Sequence, residues 1–327
     1  METDSPVESV PAIMNFVTAD TEAPFTRRDA SGTDHAMEGL TWDEAQITVR
    51  NGRLETKTLT LDKNAFQLVE SSDIPQELDY YNQQHVIDLY YPHCQKLLQQ
   101  HLGKDTLVYA FDHNVRSNSL RRRDLDNSNG VAIVQNPLGV VHADYTEVSA
   151  PKRLKQLAQP PKTNDTHQLC LKEGETLLDP AMVDEVLEGV GKQKRRFAMA
   201  NVWRNINREI PVSQRPLACM DAVNTNMDCL RKFSIHYPDR IGENYFCVND
   251  QKQKWFYFPK MTHDEALLLK QWDSYGSLAA SEGDRNSKKP STFSVHSSFL
   301  DPTSSLDAPP RESIEVRCII IYPLENA

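Results

Sequence analysis

Within residues 139–146 (GVVHADYT), His142 and Asp144 stand two positions apart in an apolar, β-like run. Side chains of a strand leave alternate faces, so an imidazole and a carboxylate at that spacing emerge on one side and can share an ion. A third nitrogen ligand is then wanted from far along the chain. His296, in 291–299 (STFSVHSSF), lies on another apolar segment suited to supply it. Two histidines and one carboxylate on one face leave other metal positions open, the arrangement that suits a non-haem ferrous ion. A His-x-Asp pair by itself arises by chance in many chains; the strand setting, the late histidine and a basic feature after it give the pattern its meaning.

That feature lies in 309–323 (PPRESIEVRCIIIYP). If this is a strand, Arg311, Ser313, Glu315 and Arg317 face one way and Ile314, Val316 and Cys318 the other. A guanidinium is a planar fork that holds a carboxylate through two parallel hydrogen bonds, and a nearby hydroxyl can add a third. Arg311 with Ser313 therefore suits the remote carboxylate of a keto diacid such as 2-oxoglutarate, with Arg317 as the second choice. An exposed edge strand whose charges pair among themselves is the alternative reading.

The elements that must position these groups follow a β-rich pattern. From residue 131 onward short strands alternate with turn chemistry: VAIV, GVVHADYT, FAMANVWR, PLACMDAV, YFCVND, KWFYFP, STFSVHSSF and SIEVRCIIIY. Such a series suggests a sandwich or jelly-roll barrel. Residues 45–61, with alternating polarity about Asn51-Gly52, read as a β-hairpin. Apolar spacing over 77–102 predicts two abutting helices interrupted at Pro92, and 106–112 (TLVYAFD) reads as a buried strand. Helices are also expected over 180–189 and over 263–274, where Thr262 and Glu265 resemble a capping pair. Residues 1–40 read as a tail and arm, 41–327 as a single domain, and the polar stretch 275–290 as a loop able to cover a site.

Composition narrows the function classes. Formal charge is −10, from 36 Lys+Arg against 46 Asp+Glu, and basic residues are interleaved with acidic ones, which argues against a nucleic-acid partner. The short clusters at 121–123 and 192–196 read as solvated surface. No apolar run approaches the roughly 18 residues of a membrane span, and the acidic start METDSPVESVP has no signal-like core. The six cysteines form no CxxC pair or ladder, as in a cytosolic protein with reduced thiols. These features fit a cytoplasmic protein, and they leave monomer and homo-oligomer both open.

The segments FDHNVR, VHADYT, NVWR, RPLACMDA, YFPKMTHDEALLLKQWDS, STFSVHSSFLDP and RESIEVR resemble a hydroxylase/desaturase family of fungal and bacterial secondary metabolism, which includes aspergillic-acid-type hydroxylases and a fungal gibberellin desaturase. The last motif is the most specific. The resemblance implies a mainly β, α+β fold with flanking helices around a double-stranded β-helix (jelly-roll, cupin-like) core. It implies iron(II), 2-oxoglutarate and dioxygen as the reaction's partners. It places His142, Asp144 and His296 as the metal ligands and Arg311 as the co-substrate anchor. It also favours Arg204 as a second co-substrate or substrate contact, with Trp203, Tyr257 and Met261 as pocket wall. His113, His236 and His263 are expected to be structural, and Asp273 to fix a loop or helix end. The rival readings are a cupin-type metalloenzyme that does not use 2-oxoglutarate, and a β-sandwich binding protein without catalysis. The first would release no succinate; the second would hold no stoichiometric iron.

Overall fold

Two sheets face one another, in a computed structural model that describes residues 7–29, 35–117, 134–135, 138–162, 165–188, 195–238, 240–279, 289–305 and 307–324. The larger sheet has nine strands. Their order is β1 (Ser9–Val17), β3 (Trp42–Asn51), β12 (Trp255–Tyr257), β9 (Leu217–Met220), β14 (His296–Ser298), β7 (His142–Ala143), β11 (Ile241–Cys247), β10 (Leu230–His236) and β2 (Phe25–Arg27). The smaller has six, β4 (Phe66–Glu70), β13 (Glu265–Asp273), β8 (Phe197–Asn205), β15 (Glu312–Ile321), β5 (Leu107–Ser117) and β6 (Val134–Gln135). From β12 to β15 the chain passes from one sheet to the other at every step, which is the winding of a double-stranded β-helix.

Alternation along β15 sorts its residues between two environments. Ile314, Val316, Cys318 and Ile320 join an outer apolar layer with Ala198, Ala200 and Val202 of β8. The helix α3 (Tyr91–Leu102) covers that layer with Cys94, Leu97 and Leu98. Burying each such large side chain contributes about 1.5–3 kcal/mol. Arg311, Ser313, Glu315 and Arg317 are left on the opposite, inter-sheet face. The inner space holds an apolar cluster that includes Trp203, Cys219, Phe256, Met261, Leu267 and Leu269.

Several local expectations change. No hairpin forms at Asn51-Gly52: β3 runs antiparallel to β1 and parallel to β12, and the chain leaves it through a single turn of 3-10 helix, Gly52–Leu54. Gly52 is needed for close approach, since a Cβ there would meet the Phe258 ring at 2.7 Å. The arm expected in the first forty residues includes β1, a full strand of the large sheet. Pro92 does not break a helix; it occupies the first turn of α3, where its missing N–H costs nothing. Residues 263–274 form strand β13 instead of a helix. The Thr262 N–H does donate to Glu265 Oε2 at 2.9 Å, but the apolar run that follows is buried on both faces between β4 and β8. Of the loop read over 275–290, residues 280–288 lie outside the described residues, as do 121–123 and 192–194. Arg196, read as surface, is ion-paired with Asp273. The expected strands over 106–112 and 197–204 are present, a helix covers Pro180–Leu187 of the expected 180–189, whose last residue lies outside the described residues, and all six cysteines are free thiols.

Candidate metal centre and co-substrate cradle

The backbone ladder brings two distant histidines side by side. His296 of β14 pairs with His142 of β7 on one flank and with Cys219 of β9 on the other, so the three side chains leave one face. The imidazole centroids lie 4.4 Å apart. Asp144 follows β7 at once, and the chain turns there into helix α4 (Ser149–Leu157). Reciprocal bonds at the start of α4 fix the turn: the Thr146 N–H donates to Ser149 Oγ at 2.8 Å and the Ser149 N–H to Thr146 Oγ1 at 3.1 Å. The Asn244 amide donates to the Asp144 backbone carbonyl at 2.9 Å.

His142 Nδ1 lies 2.8 Å from the Val140 carbonyl, and His296 Nδ1 lies 3.2 Å from the Ser294 carbonyl. A carbonyl only accepts, so in both rings Nδ1 carries the proton and Nε2 presents a lone pair, as metal-ligating histidines do. Burial, reinforced by the His142 ring, holds the His296 imidazole down to about 4, so it is neutral at physiological pH. Asp144 feels burial pushing its carboxyl up, but the contact with His142 and the charge of Arg317 outweigh that and hold it well below the usual range. His142 Nε2 and Asp144 Oδ1 lie 3.4 Å apart. With Nδ1 turned to a backbone carbonyl, a cation placed between Nε2 and Oδ1 would be held by both. Candidate ligand atoms of His142, Asp144 and His296 all lie within 4.8 Å of one another. A divalent ion with N and O ligands at about 2.0–2.2 Å separates right-angled ligands by about 3 Å, so modest contraction suffices. The donor set therefore fits a ferrous ion with one face left open.

The second half of the site lies at the start of β15. Arg311 is only 3% exposed, its Nη1 donates to the Arg215 carbonyl, and its guanidinium carbon stands 5.6 Å over the Trp203 ring. Among the described residues no carboxylate is hydrogen-bonded to it; burial, with Arg116 nearby, pulls it down to about 9, so it still carries its charge at pH 7. Arg311 Nε and Ser313 Oγ are both buried without a hydrogen-bond partner. Such groups are costly to leave unpaired, and a cationic donor beside an idle hydroxyl is what a bound carboxylate satisfies.

The other expected contacts separate. Arg204 is on the helix-side face of β8 and does not reach the cradle. Its Nε donates to Tyr90 Oη at 3.0 Å, its Nη1 to the carbonyls of Ser71 at 2.9 Å and of His263, and its Nη2 to Ser71 Oγ. Arg317 shares the inner face but is saturated by acids: Asp112 at 2.8 Å, Glu315 at 2.7 Å and Asp144 at 3.8 Å. Neither has a fork free for a co-substrate. Trp203 and Met261 belong to the inner apolar cluster. Tyr257 does not share the ligand face: Phe256 pairs with Cys219, and hence lies in the row of His296, while Tyr257 is one residue out of phase and packs edge-on against Phe299 at 5.3 Å. The histidines expected to be structural behave so where their bonds are seen, His113 with Tyr91 and His263 with Tyr80. Sequence reasoning missed Asn201, Asp112, Asn114 and Arg116, which surround Arg317, Glu315 and Asp144. The signal available was a polar Asn201 set among the apolar residues of 197–203.

A double-stranded β-helix carrying an open two-histidine, one-carboxylate cluster defines the class of mononuclear non-haem iron oxygenases. The comparisons agree. The family described as "Oxidoreductase/YMDC permease-like domain" matches residues 14–321, and the chain belongs to it. No described helix is long and apolar enough to cross a membrane. Among curated relatives, the chain is 25% identical over 284 residues to the Fe(II)/2-oxoglutarate-dependent dioxygenase nvfI of Aspergillus novofumigatus, covering 85% of this chain and 84% of that one. It is 26% identical over 334 residues to the hydroxylase/desaturase efuI of Hormonema carpetanum, covering 95% and 97%. The fold superposes on a solved structure of the iron and alpha-ketoglutarate-dependent endoperoxidase NvfI with a TM-score of 0.70 at 22% identity, over 98% of this chain and 100% of that one. The chain is thus homologous to iron(II)/2-oxoglutarate-dependent hydroxylases and desaturases of fungal metabolism.

Proposed function

We propose that this protein is an iron(II)- and 2-oxoglutarate-dependent oxygenase that hydroxylates, desaturates or oxidatively cyclises a small-molecule intermediate of secondary metabolism. The observation that supports the reading is the pairing of an open metal-ligand triad with a buried guanidinium and hydroxyl that no acid among the described residues hydrogen-bonds. His142 and His296 offer Nε2 and Asp144 offers Oδ1, while Arg311 and Ser313 hold the far carboxylate of the co-substrate. When bound, the metal and keto acid together supply dioxygen activation, with 2-oxoglutarate leaving as succinate and carbon dioxide. Trp203 gives a flat wall to the cradle, and the apolar side chains behind it exclude water from the buried end.

The names carried by the relatives include dioxygenase, hydroxylase/desaturase and endoperoxidase on one scaffold. The outcome is therefore set by how the substrate is presented, not by the ligands. A net charge of −10 and six free thiols support a cytosolic enzyme with no nucleic-acid partner. The test is succinate release: purified protein with iron(II), ascorbate, 2-oxoglutarate and air should form succinate, faster when a small-molecule panel contains a substrate. No succinate under any condition, with iron bound, would favour a cupin enzyme of other chemistry.

A further inference from the structure

The two oxygens of Asp144 stand in different environments. Oδ1 faces His142 Nε2 at 3.4 Å, on the side where the ligand atoms converge. Oδ2 faces the opposite sheet, where Asn201 Nδ2 donates to it at 3.3 Å and Arg317 Nε lies 3.8 Å away. We propose that Asn201 and Arg317 are positioning residues that hold Oδ2 away from the metal, so that Asp144 binds through one oxygen and the open face stays open. The inference rests on the metal-centre reading above.

Both residues are placed for this by strand register. Asn201 and Arg317 are paired across β8 and β15, so they project together from the small sheet toward Asp144 on the large one. Asn201 is 2% exposed and stands in a strand buried along its whole length. An amide there is a poor choice for packing alone. Arg317 is in turn clamped from both sides by Asp112 and Glu315. Asp112 accepts a bond from Thr166 at 2.7 Å, and Glu315 is held by Asn114 at 3.0 Å and Arg116 at 3.6 Å. The guanidinium therefore has little freedom to follow Asp144 if the carboxylate rotates. Removing the Oδ2 contacts frees that rotation and allows both oxygens onto the metal, which fills a position needed by co-substrate or dioxygen. Outer partners of metal ligands are commonly worth 10–100-fold in affinity or activity.

The experiment uses the full chain with cobalt(II) as a redox-inert spectroscopic probe. Asn201→Leu removes the amide while keeping a side chain branched at Cγ, and Arg317→Lys keeps the charge but loses the planar Nε contact. Melting temperature and circular dichroism report folding; cobalt(II) affinity and the visible ligand-field spectrum report the site. We expect at least one folded variant to show a cobalt(II) affinity changed by about tenfold and an altered ligand-field band, with succinate formation reduced more than the 2-oxoglutarate KM is raised. Asn201→Ser replaces Asn201→Leu should the latter fail to fold. Wild-type spectra and affinities within twofold in the folded variants overturn the inference while leaving the metal centre intact. A wild-type protein that takes up no cobalt(II) overturns the metal-centre reading itself, and this inference with it.

Discussion

Replacing Arg311 by methionine should separate binding from stability in opposite directions. A group whose folded pKa is below its unfolded value carries its penalty wherever it is charged, so below about pH 9 the whole cost of the buried guanidinium falls on the folded state. A fall from the usual arginine value to about 9 corresponds to a cost on the order of 4–5 kcal/mol. The bond to the Arg215 carbonyl and the contact over Trp203 return about 2 kcal/mol, which leaves a net penalty of about 2–3 kcal/mol without co-substrate. Arg311→Met removes it, so the variant loaded with manganese(II) should melt at or a few degrees above the wild type, at about 2 °C per kcal/mol for a chain of this size. With 2-oxoglutarate at about 100 times its Kd, the wild type should gain about 2.7 kcal/mol, or about 5 °C. The variant should gain almost nothing, because two charge-assisted bonds of about 1.5–3 kcal/mol each are lost and affinity falls about 10²–10⁴-fold. Differential scanning fluorimetry with and without 2-oxoglutarate measures both effects. A variant that keeps the thermal shift refutes the cradle; one that melts many degrees lower without ligand refutes the view of Arg311 as an unpartnered charge.

Other consequences follow from individual contacts. Arg204→Met leaves Ser71, His263 and Tyr90 without their donor, and should lower the melting temperature by 6 °C or more, at about 1–3 kcal/mol per orphaned group, while the 2-oxoglutarate KM of the folded fraction stays within threefold. Metal-free protein should lose stability as pH falls from about 6.5 to 4. Burial holds His296 and His93 down to about 4, so over that window the unfolded chain binds the protons and the native chain does not. Melting curves in a chelating buffer check this, and a flat profile through that window contradicts it. Gly276→Ala should cost about 1–3 kcal/mol by overpacking, since its Cβ would meet Thr292 Oγ1 at 2.2 Å and disturb the bond from the Leu278 N–H; chemical denaturation reads the change.

The metal triad was legible because His142 and Asp144 are near neighbours in the chain, although Asp144 falls just past the end of β7 and not on the expected strand, and because an apolar setting marks His296. Alternation puts Arg311, Ser313 and Arg317 on one face, and the family resemblance makes Arg311 the first choice among them for the proposed cradle. What the sequence could not separate was Arg311 from Arg317 and Arg204. Arg204 and Arg317 lie within strands and Arg311 just before one, and their environments differ in which acids and carbonyls the fold brings to them. Asn201 went unseen because its partner, Asp144, is 57 positions away on the facing sheet. Tyr257, for which a core role was the alternative to pocket wall, is buried and lies one strand step out of the His296 row, on the other face. The strand at Glu265–Asp273 was hidden because burial on both faces erases the alternation that identifies a strand.

The most direct test of the metal centre is an anaerobic titration of the purified chain with iron(II), then 2-oxoglutarate, followed by visible absorbance and metal analysis. One iron per chain, a new absorbance band on adding the keto acid, and loss of both in His142→Ala are the expected results. Wild-type protein that retains no iron, or a His142→Ala variant that gives the same band, would contradict it.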